Sequence, residues 1–383
     1  MKKIILACLA LWLLCACSSS DPAILDATAS DNNPTVGQKI LFQVRSVADH
    51  FPMTYSWSAD GGTFDPGTST DNFAYWTAPD EPGTYRVRCT VTDDDGNTDT
   101  HTFVLPVSAR TVEVLYPASS TLTMEKQDDS IIGGIWVSLQ NGQIRYITST
   151  SDADTGWVGA FGTIHVAYSP LAFAHALWGA LPTGKTISQQ SGSGTSSIAY
   201  TTGPEDDVIN AMIVSLAESE VYYLLVGSDS GLHFYNATGE TGTWTDDDED
   251  FEKVYAFAES SDGQTIHAAT DQGIYSLPYP HYSPTKILDG DSCALALDAG
   301  DAVWHVTGGQ VCKDGVALGS QPAVASCTLD IDPKGNVWCG KYFWNGTAWS
   351  TPDALAGYTV EKVVASTEGL VYFITDSGAL LRY

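Results

Sequence analysis

Positive charge is what this sequence has least of. Lys and Arg total 17 against 46 Asp and Glu, a formal charge of −29 over 383 residues. Phosphate backbones and anionic lipid would repel such a chain, which argues against nucleic-acid binding. Charged residues of both signs make up only 16%, below the roughly 25% of an average soluble domain. With 43% hydrophobic residues, general disorder is excluded. Long hydrophobic runs are missing too. The longest, Ile4 to Ala16, falls short of the about 20 residues that a spanning helix needs. Catalytic signatures are absent: there is no H-E-x-x-H, G-x-S-x-G, P-loop or dinucleotide fingerprint. The histidines are scattered. His267 and His305 fall in comparable strands of successive units and read as packing residues, with a metal pair as the alternative. No cofactor and no metal site is implied.

What is present first is an address. Met1-Lys2-Lys3 precedes the apolar stretch, which suits a secretory signal. The stretch ends in Leu14-Cys15-Ala16-Cys17-Ser18 and resembles the bacterial lipobox, with a small residue before Cys17. The resemblance implies a signal peptide over 1–16, diacylglycerol on Cys17 and a tether over 17–21. Several acyl chains make a stable membrane anchor. Ser18 after the Cys points, by analogy with enteric bacteria, to the outer membrane.

Glycine (35), proline (17), tryptophan (11) and tyrosine (18) suit short strands and many turns rather than long helices. Residues 22–109 alternate apolar and polar residues in strands such as Lys39–Val44, Met53–Trp57, Asn72–Trp76, Tyr85–Val91 and Thr102–Val107. Such spacing predicts a β-sandwich. Tyr55-Ser-Trp57, Gly61-Gly62-Thr-Phe64, Trp76-Thr-Ala-Pro79, Pro82-Gly83-Thr-Tyr85 and Val91-Thr-Asp-Asp-Asp-Gly-Asn97 resemble the PKD and bacterial Ig-like family. That family implies a spacer or adhesion module. Asp93–Asn97 reads as a hairpin turn, since it lacks the later bidentate Glu of a calcium loop.

Residues 110–383 carry an internal repeat. An aliphatic residue, usually followed by an aromatic, recurs as Ile135-Trp136, Leu177-Trp178, Val221-Tyr222, Ile266-His267, Val303-Trp304, Val337-Trp338 and Val371-Tyr372, in steps of 34 to 45 residues. Another apolar strand precedes each pair, and a Gly turn and a third strand follow. Four short strands repeated seven times predict a seven-bladed β-propeller. Thr111–Tyr116 is left over at the start and the last unit has only three strands, so this segment is expected to complete the seventh blade. The aromatic is expected to fill the space between blades. Ser191–Ser197 reads as an enlarged loop in the second unit. The units resemble two-component-regulator and kelch-like propellers, a fold that hosts unrelated functions.

The candidate site residues follow from this frame. Asp229, Asp271 and Asp376 stand in equivalent turns, where a propeller gathers loops into a funnel mouth; each alone is also a favoured turn residue. Asp246–Asp250 reads as a solvated loop, with low-affinity capture of a cation such as calcium as the alternative. Cys89 reads as a buried thiol. Cys293, Cys312, Cys327 and Cys339 lie close together in an exported chain, where disulfides persist. Three pairings are open. A hairpin about Pro333 would set Cys327 opposite Cys339, and Cys293 holds the place of Cys327 one unit earlier. The expected role is a lipid-anchored envelope module that binds or scaffolds a protein or glycan partner without catalysis. Two alternatives are a polysaccharide lyase or hydrolase using carboxylates and tyrosines of the funnel, and a subunit of an envelope sensory or assembly complex.

Overall fold

The computed structural model describes residues 21–65, 70–127, 133–169, 174–183, 186–191, 195–201, 207–216, 222–236, 243–245, 253–279, 283–319 and 328–383. The signal, Cys17, Cys327 and the acidic run 246–250 lie outside them. The described chain is all-β apart from one short 3-10 turn at Asp353–Leu355.

The first two sheets share one core. One has four strands in the order Ala23–Ala29, Lys39–Val47, Phe73–Thr77, Thr63–Phe64. The other has three, Thr54–Ala59, Gly83–Thr92 and Thr98–Val107. Alternation decides which side chains go in. Ile40, Phe42 and Val44 are buried, as are Val87, Cys89 and Val91, and Phe103, Leu105 and Val107. Trp57 and Trp76 join them, and each indole N–H still finds a carbonyl, of Asp71 and Gly61, at 2.9 Å. Satisfying that polar handle is what lets a buried tryptophan contribute its full apolar area. Cys89 is a free thiol, pushed up to about 12 by burial.

Among the described residues from 113 onward, the strands form seven four-stranded antiparallel sheets. In chain order these span 121–158 (sheet I), 163–201 (II), 209–245 (III), 254–289 (IV), 292–317 (V), 329–350 (VI) and 360–382 (VII). Sheet VII takes its fourth strand from Glu113–Tyr116, which pairs antiparallel with Leu380–Arg382. The strand expected over 111–116 therefore does lie beside the last one. Sheet II is four-stranded like the others, with one register shift at Gln189/Gln190. Its third and fourth strands are Thr186–Ser191 and Thr195–Thr201, so Ser191 and Thr195–Ser197 of the expected loop are strand residues, while 192–194 lie outside the described residues.

Each consecutive pair of sheets shares a hydrophobic cluster. Trp136 of sheet I packs with Ile164 and Leu177 of sheet II. Trp178 joins II to III, Trp304 lies in the cluster joining V to VI, and Trp338 in the one joining VI to VII. The cluster around Tyr372 of sheet VII contains Met124, Ile135 and Val137 of sheet I. The recurring aromatic thus sits between neighbouring sheets, because one four-stranded sheet cannot bury both faces alone.

One turn recurs between consecutive antiparallel strands. In Asp332–Asn336 the Asp carboxylate accepts the Asn336 N–H at 3.0 Å and its Nδ2 at 2.8 Å. Asp93–Asn97 repeats this at 2.8 and 3.0 Å, confirming a side-chain-capped turn. The Asp332 and Asp298 carboxylates also accept the indole N–H of Trp338 (3.1 Å) and Trp304 (3.0 Å) on the next strand. One acid therefore closes the turn and fixes the ring that packs on the neighbouring sheet.

Candidate functional site

Asp229, Asp271 and Asp376 occupy equivalent turns between second and third strands: Ser228-Asp-Ser-Gly231, Thr270-Asp-Gln-Gly273 and Thr375-Asp-Ser-Gly378. In each, the Asp N–H bonds the carbonyl just before the first strand of its own sheet: Val208 (3.0 Å), Lys253 (3.2 Å) and Thr359 (3.1 Å). The preceding hydroxyl is buried and accepts an N–H at 3.1 Å in all three, from Ser230 and Gln272 within the first two turns and from Ala379 just after the third. Gly273 shows why a glycine closes the turn: at φ 144° a Cβ would overlap the Leu288 carbonyl. The carboxylates differ more than the backbones. Asp229 accepts from Asn210 Nδ2 at 3.1 Å and pairs with Lys253 Nζ at 3.3 Å. Asp271 accepts the Lys253 N–H at 3.1 Å. Lys253 thus links Asp229 of sheet III to Asp271 of sheet IV, while Asp376 belongs to sheet VII.

Beside the Asp229 turn lies a partly buried polar cluster that no sequence motif announces. Asp207 accepts from Ser230 Oγ at 2.8 Å, and His233 Nε2 stands 3.0 Å from Ser228 Oγ and 3.2 Å from Ser230 Oγ. Burial lowers the His233 pKa, against the pull of Asp207. The aspartate meets the serine rather than the far imidazole nitrogen, which is not the geometry of a nucleophilic triad.

A second polar set runs along the first strands. Glu125 Oε1 lies 2.6 Å from His165 Nδ1, and Oε2 accepts the Val166 N–H at 3.1 Å. His165 Nε2 accepts the Val214 N–H at 3.1 Å. An imidazole accepting at Nε2 carries its proton on Nδ1, so His165 donates to Glu125. Asp330 accepts the Ala365 N–H at 2.8 Å and pairs with Lys126 Nζ at 3.0 Å. Thr328 Oγ1 accepts the Val363 N–H at 2.9 Å, and Lys362 Nζ donates to Thr123 Oγ1 at 2.9 Å. Burial lowers the Lys362 pKa, while Glu125 and Asp330 oppose the shift. The physical cause of the pattern is the edge. A first strand has its second strand on one side only, so its other N–H groups need acceptors. Glu125, His165, Thr328 and Asp330 supply them across sheets I to II, II to III and VI to VII. The signal available in the sequence was a polar residue interrupting an apolar first strand.

The cysteines correct one expectation. Cys293 is disulfide-bonded, but Cys312 and Cys339 are free and buried, so the pairing of Cys339 with Cys327 does not occur. Cys339 sits among Val337, Trp304 and Leu329, and burial pushes its thiol up to about 12. Packing, not bridging, is its role. His305 is buried and His267 half-buried, and burial lowers both pKa values. His305 Nδ1 lies 3.0 Å from Ser292 Oγ. Among the described residues no group of three or more His, Cys, Asp or Glu could hold a metal, and no helix is long and apolar enough to cross a membrane.

No family model matches the chain, and no curated protein matches it. Solved structures do. A catalytically inactive variant of virginiamycin B lyase from Staphylococcus aureus is 11% identical at a TM-score of 0.51, covering 71% of this chain and 98% of its own. A protein described as the extracellular domain of a hybrid two-component system from B. thetaiotaomicron is 14% identical at a TM-score of 0.52, over 71% of this chain and 39% of its own. The β-propeller domain of Cps50 (Swd1) from Myceliophthora thermophila is 9% identical at a TM-score of 0.52, over 71% of this chain and 98% of its own. At these identities the likeness is one of fold: an all-β chain of repeated small sheets.

Proposed function

We propose that sheets I to VII are the blades of a seven-bladed β-propeller, that residues 22–109 form a PKD/Ig-like sandwich, and that the chain is an envelope lipoprotein anchored through Cys17. Its role is non-catalytic binding of a protein or glycan partner. The shared clusters between consecutive sheets, including VII with I, support the propeller. One observation carries the non-catalytic reading. The acids and the base on the first strands, Glu125, Asp330 and His165, already accept backbone N–H groups of neighbouring strands. A general acid or base must be free to exchange its proton with substrate, and these groups are spent on edge closure. Partner contact then falls to the turns bearing Asp229, Asp271 and Asp376, in a chain whose net charge favours cationic surfaces.

The likeness to extracellular two-component domains favours, as a second reading, a subunit of an envelope sensory complex. One experiment tests the non-catalytic reading. The intact lipoprotein is crosslinked in cells and recovered from membranes, and the bound material is analysed for protein and for glycan. Binding predicts a stoichiometric partner whose recovery falls at least tenfold in the triple variant Asp229→Asn, Asp271→Asn, Asp376→Asn. Recovery of cleaved polysaccharide with no protein would overturn the reading in favour of a lyase or hydrolase.

A further inference from the structure

The N-terminal sheets meet the C-terminal ones along a seam that a swinging stalk would not need. The connection is short and tied down at both ends. After the strand Thr98–Val107, Ser108 exchanges hydrogen bonds with the 34–36 segment: its N–H donates to Pro34 O and its carbonyl accepts from Val36 N–H, both at 2.9 Å. Two residues on, Arg110 Nε donates to Val36 O at 2.9 Å and Nη2 to Gly369 O at 2.6 Å. Its guanidinium also lies over the Tyr383 ring, 5.6 Å from the centroid. At Glu113 the chain is already in sheet VII.

Two turns of the C-terminal sheets receive the N-terminal ones. Lys39 N–H donates to Glu368 O at 2.8 Å. Gly369, at φ +83°, comes so close that a Cβ there would lie 2.9 Å from Gly37 O. Gly37 is held at φ +70°, where an L side chain is strained, and a Cβ there would push aside the end of the Lys334 side chain. Lys334 pairs with Asp80 across the same seam. Glycines at both sides of a backbone approach, with a half-buried arginine donating to two carbonyls, are features of a packed interface rather than a linker. Loosely joined domains meet through mobile, solvated linkers.

We propose that the N-terminal sheets are a fixed part of the C-terminal assembly, with Arg110 as the pin, so that a partner meets one rigid composite surface. Closing the seam also leaves a cleft of about 550 Å³ between them, lined by Lys39, Phe64, Asp65, Asp80, Pro333 and Lys334 among others. Its shape would persist only if the two parts do not move.

The test is a distance distribution between spin labels in the full mature chain. Labels at Ser58→Cys and Asp262→Cys sit on exposed positions of the two parts. A single narrow distribution is expected, broadening on Arg110→Ala. A broad distribution in the unsubstituted seam would overturn the proposal whatever the variant does. An Arg110→Ala protein that stays as narrow as its parent would overturn the role of Arg110. Should Arg110→Ala not fold, Lys334→Ala, which removes the Asp80 pair, serves as the milder perturbation, and the parent distribution alone still decides rigidity. Neither outcome bears on whether a partner is bound, so this proposal and the proposed function fail separately.

Discussion

At the residue scale, several side chains do a job that their chemistry alone would not reveal. Glu368 is 2% exposed and accepts the Ser149 N–H at 2.9 Å. Burial first, and Asp31 as a like charge, raise its pKa; Ser149 and Arg382 oppose the shift. The folded state therefore holds this proton more tightly than the unfolded chain. Its stability contribution is full below the ordinary carboxylate range and is lost as pH rises through the raised folded value. Glu368→Gln keeps an acceptor for Ser149 and removes the charge. The melting temperature of the variant, relative to the parent, should climb between pH 4 and pH 8; a constant offset would contradict this. The thiols give a second test. Cys89, Cys312 and Cys339 should be unreactive to a thiol reagent in the native protein and react on unfolding, while Cys293 reacts only after reduction. Cysteine spacing left three pairings open because spacing does not report depth; whether a thiol faces the core is set by strand register.

At the scale of the element, strand patterning was legible and edge chemistry was not. The strands, the aromatic that most second strands carry and the capped Asp93 turn follow from alternation and from Asp-Gly composition. At Ser191 and Thr195–Ser197 hairpin pairing prevails over the turn preference of serine, which composition alone does not show. The Asp229, Asp271 and Asp376 turns were visible as turns, but their shared bond to the start of the first strand depends on three-dimensional closure. Asp298 and Asp332 were overlooked because their partner indoles lie six residues on. Burial pushes the Asp298 carboxyl up, but bonds from Trp304, Lys313, Gly300 and Ala302 outweigh it and bring it to about 2. Its stabilisation is thus present above the ordinary Asp value and lost as pH falls toward that folded value. Asp298→Ala and Asp332→Ala should each cost about 1–3 kcal/mol in denaturant unfolding, the range for stranding hydrogen-bonded partners. Asp94→Ala, on an exposed turn position, should change stability by less than about 0.5 kcal/mol.

At the scale of the whole molecule, the repeat and the leftover first strand were the readable features. The internal period pointed to stacked sheets, and the three-stranded last unit to a borrowed fourth strand. The ligand was not readable, because the fold is set by apolar residues between sheets while recognition falls to turns of almost any polar sequence. The account rests on one pairing that joins the two ends of the C-terminal region. Glu113 and Arg382 are register partners, and their side chains pair at 2.6 Å. The most direct measurement is the double variant Glu113→Cys, Arg382→Cys under mild oxidation. A closed arrangement predicts an intramolecular disulfide in the monomer and a reversible rise in stability of up to about 4–5 kcal/mol, as expected for closing a very long loop. Failure to crosslink in a folded protein, or crosslinking only between molecules, would contradict it.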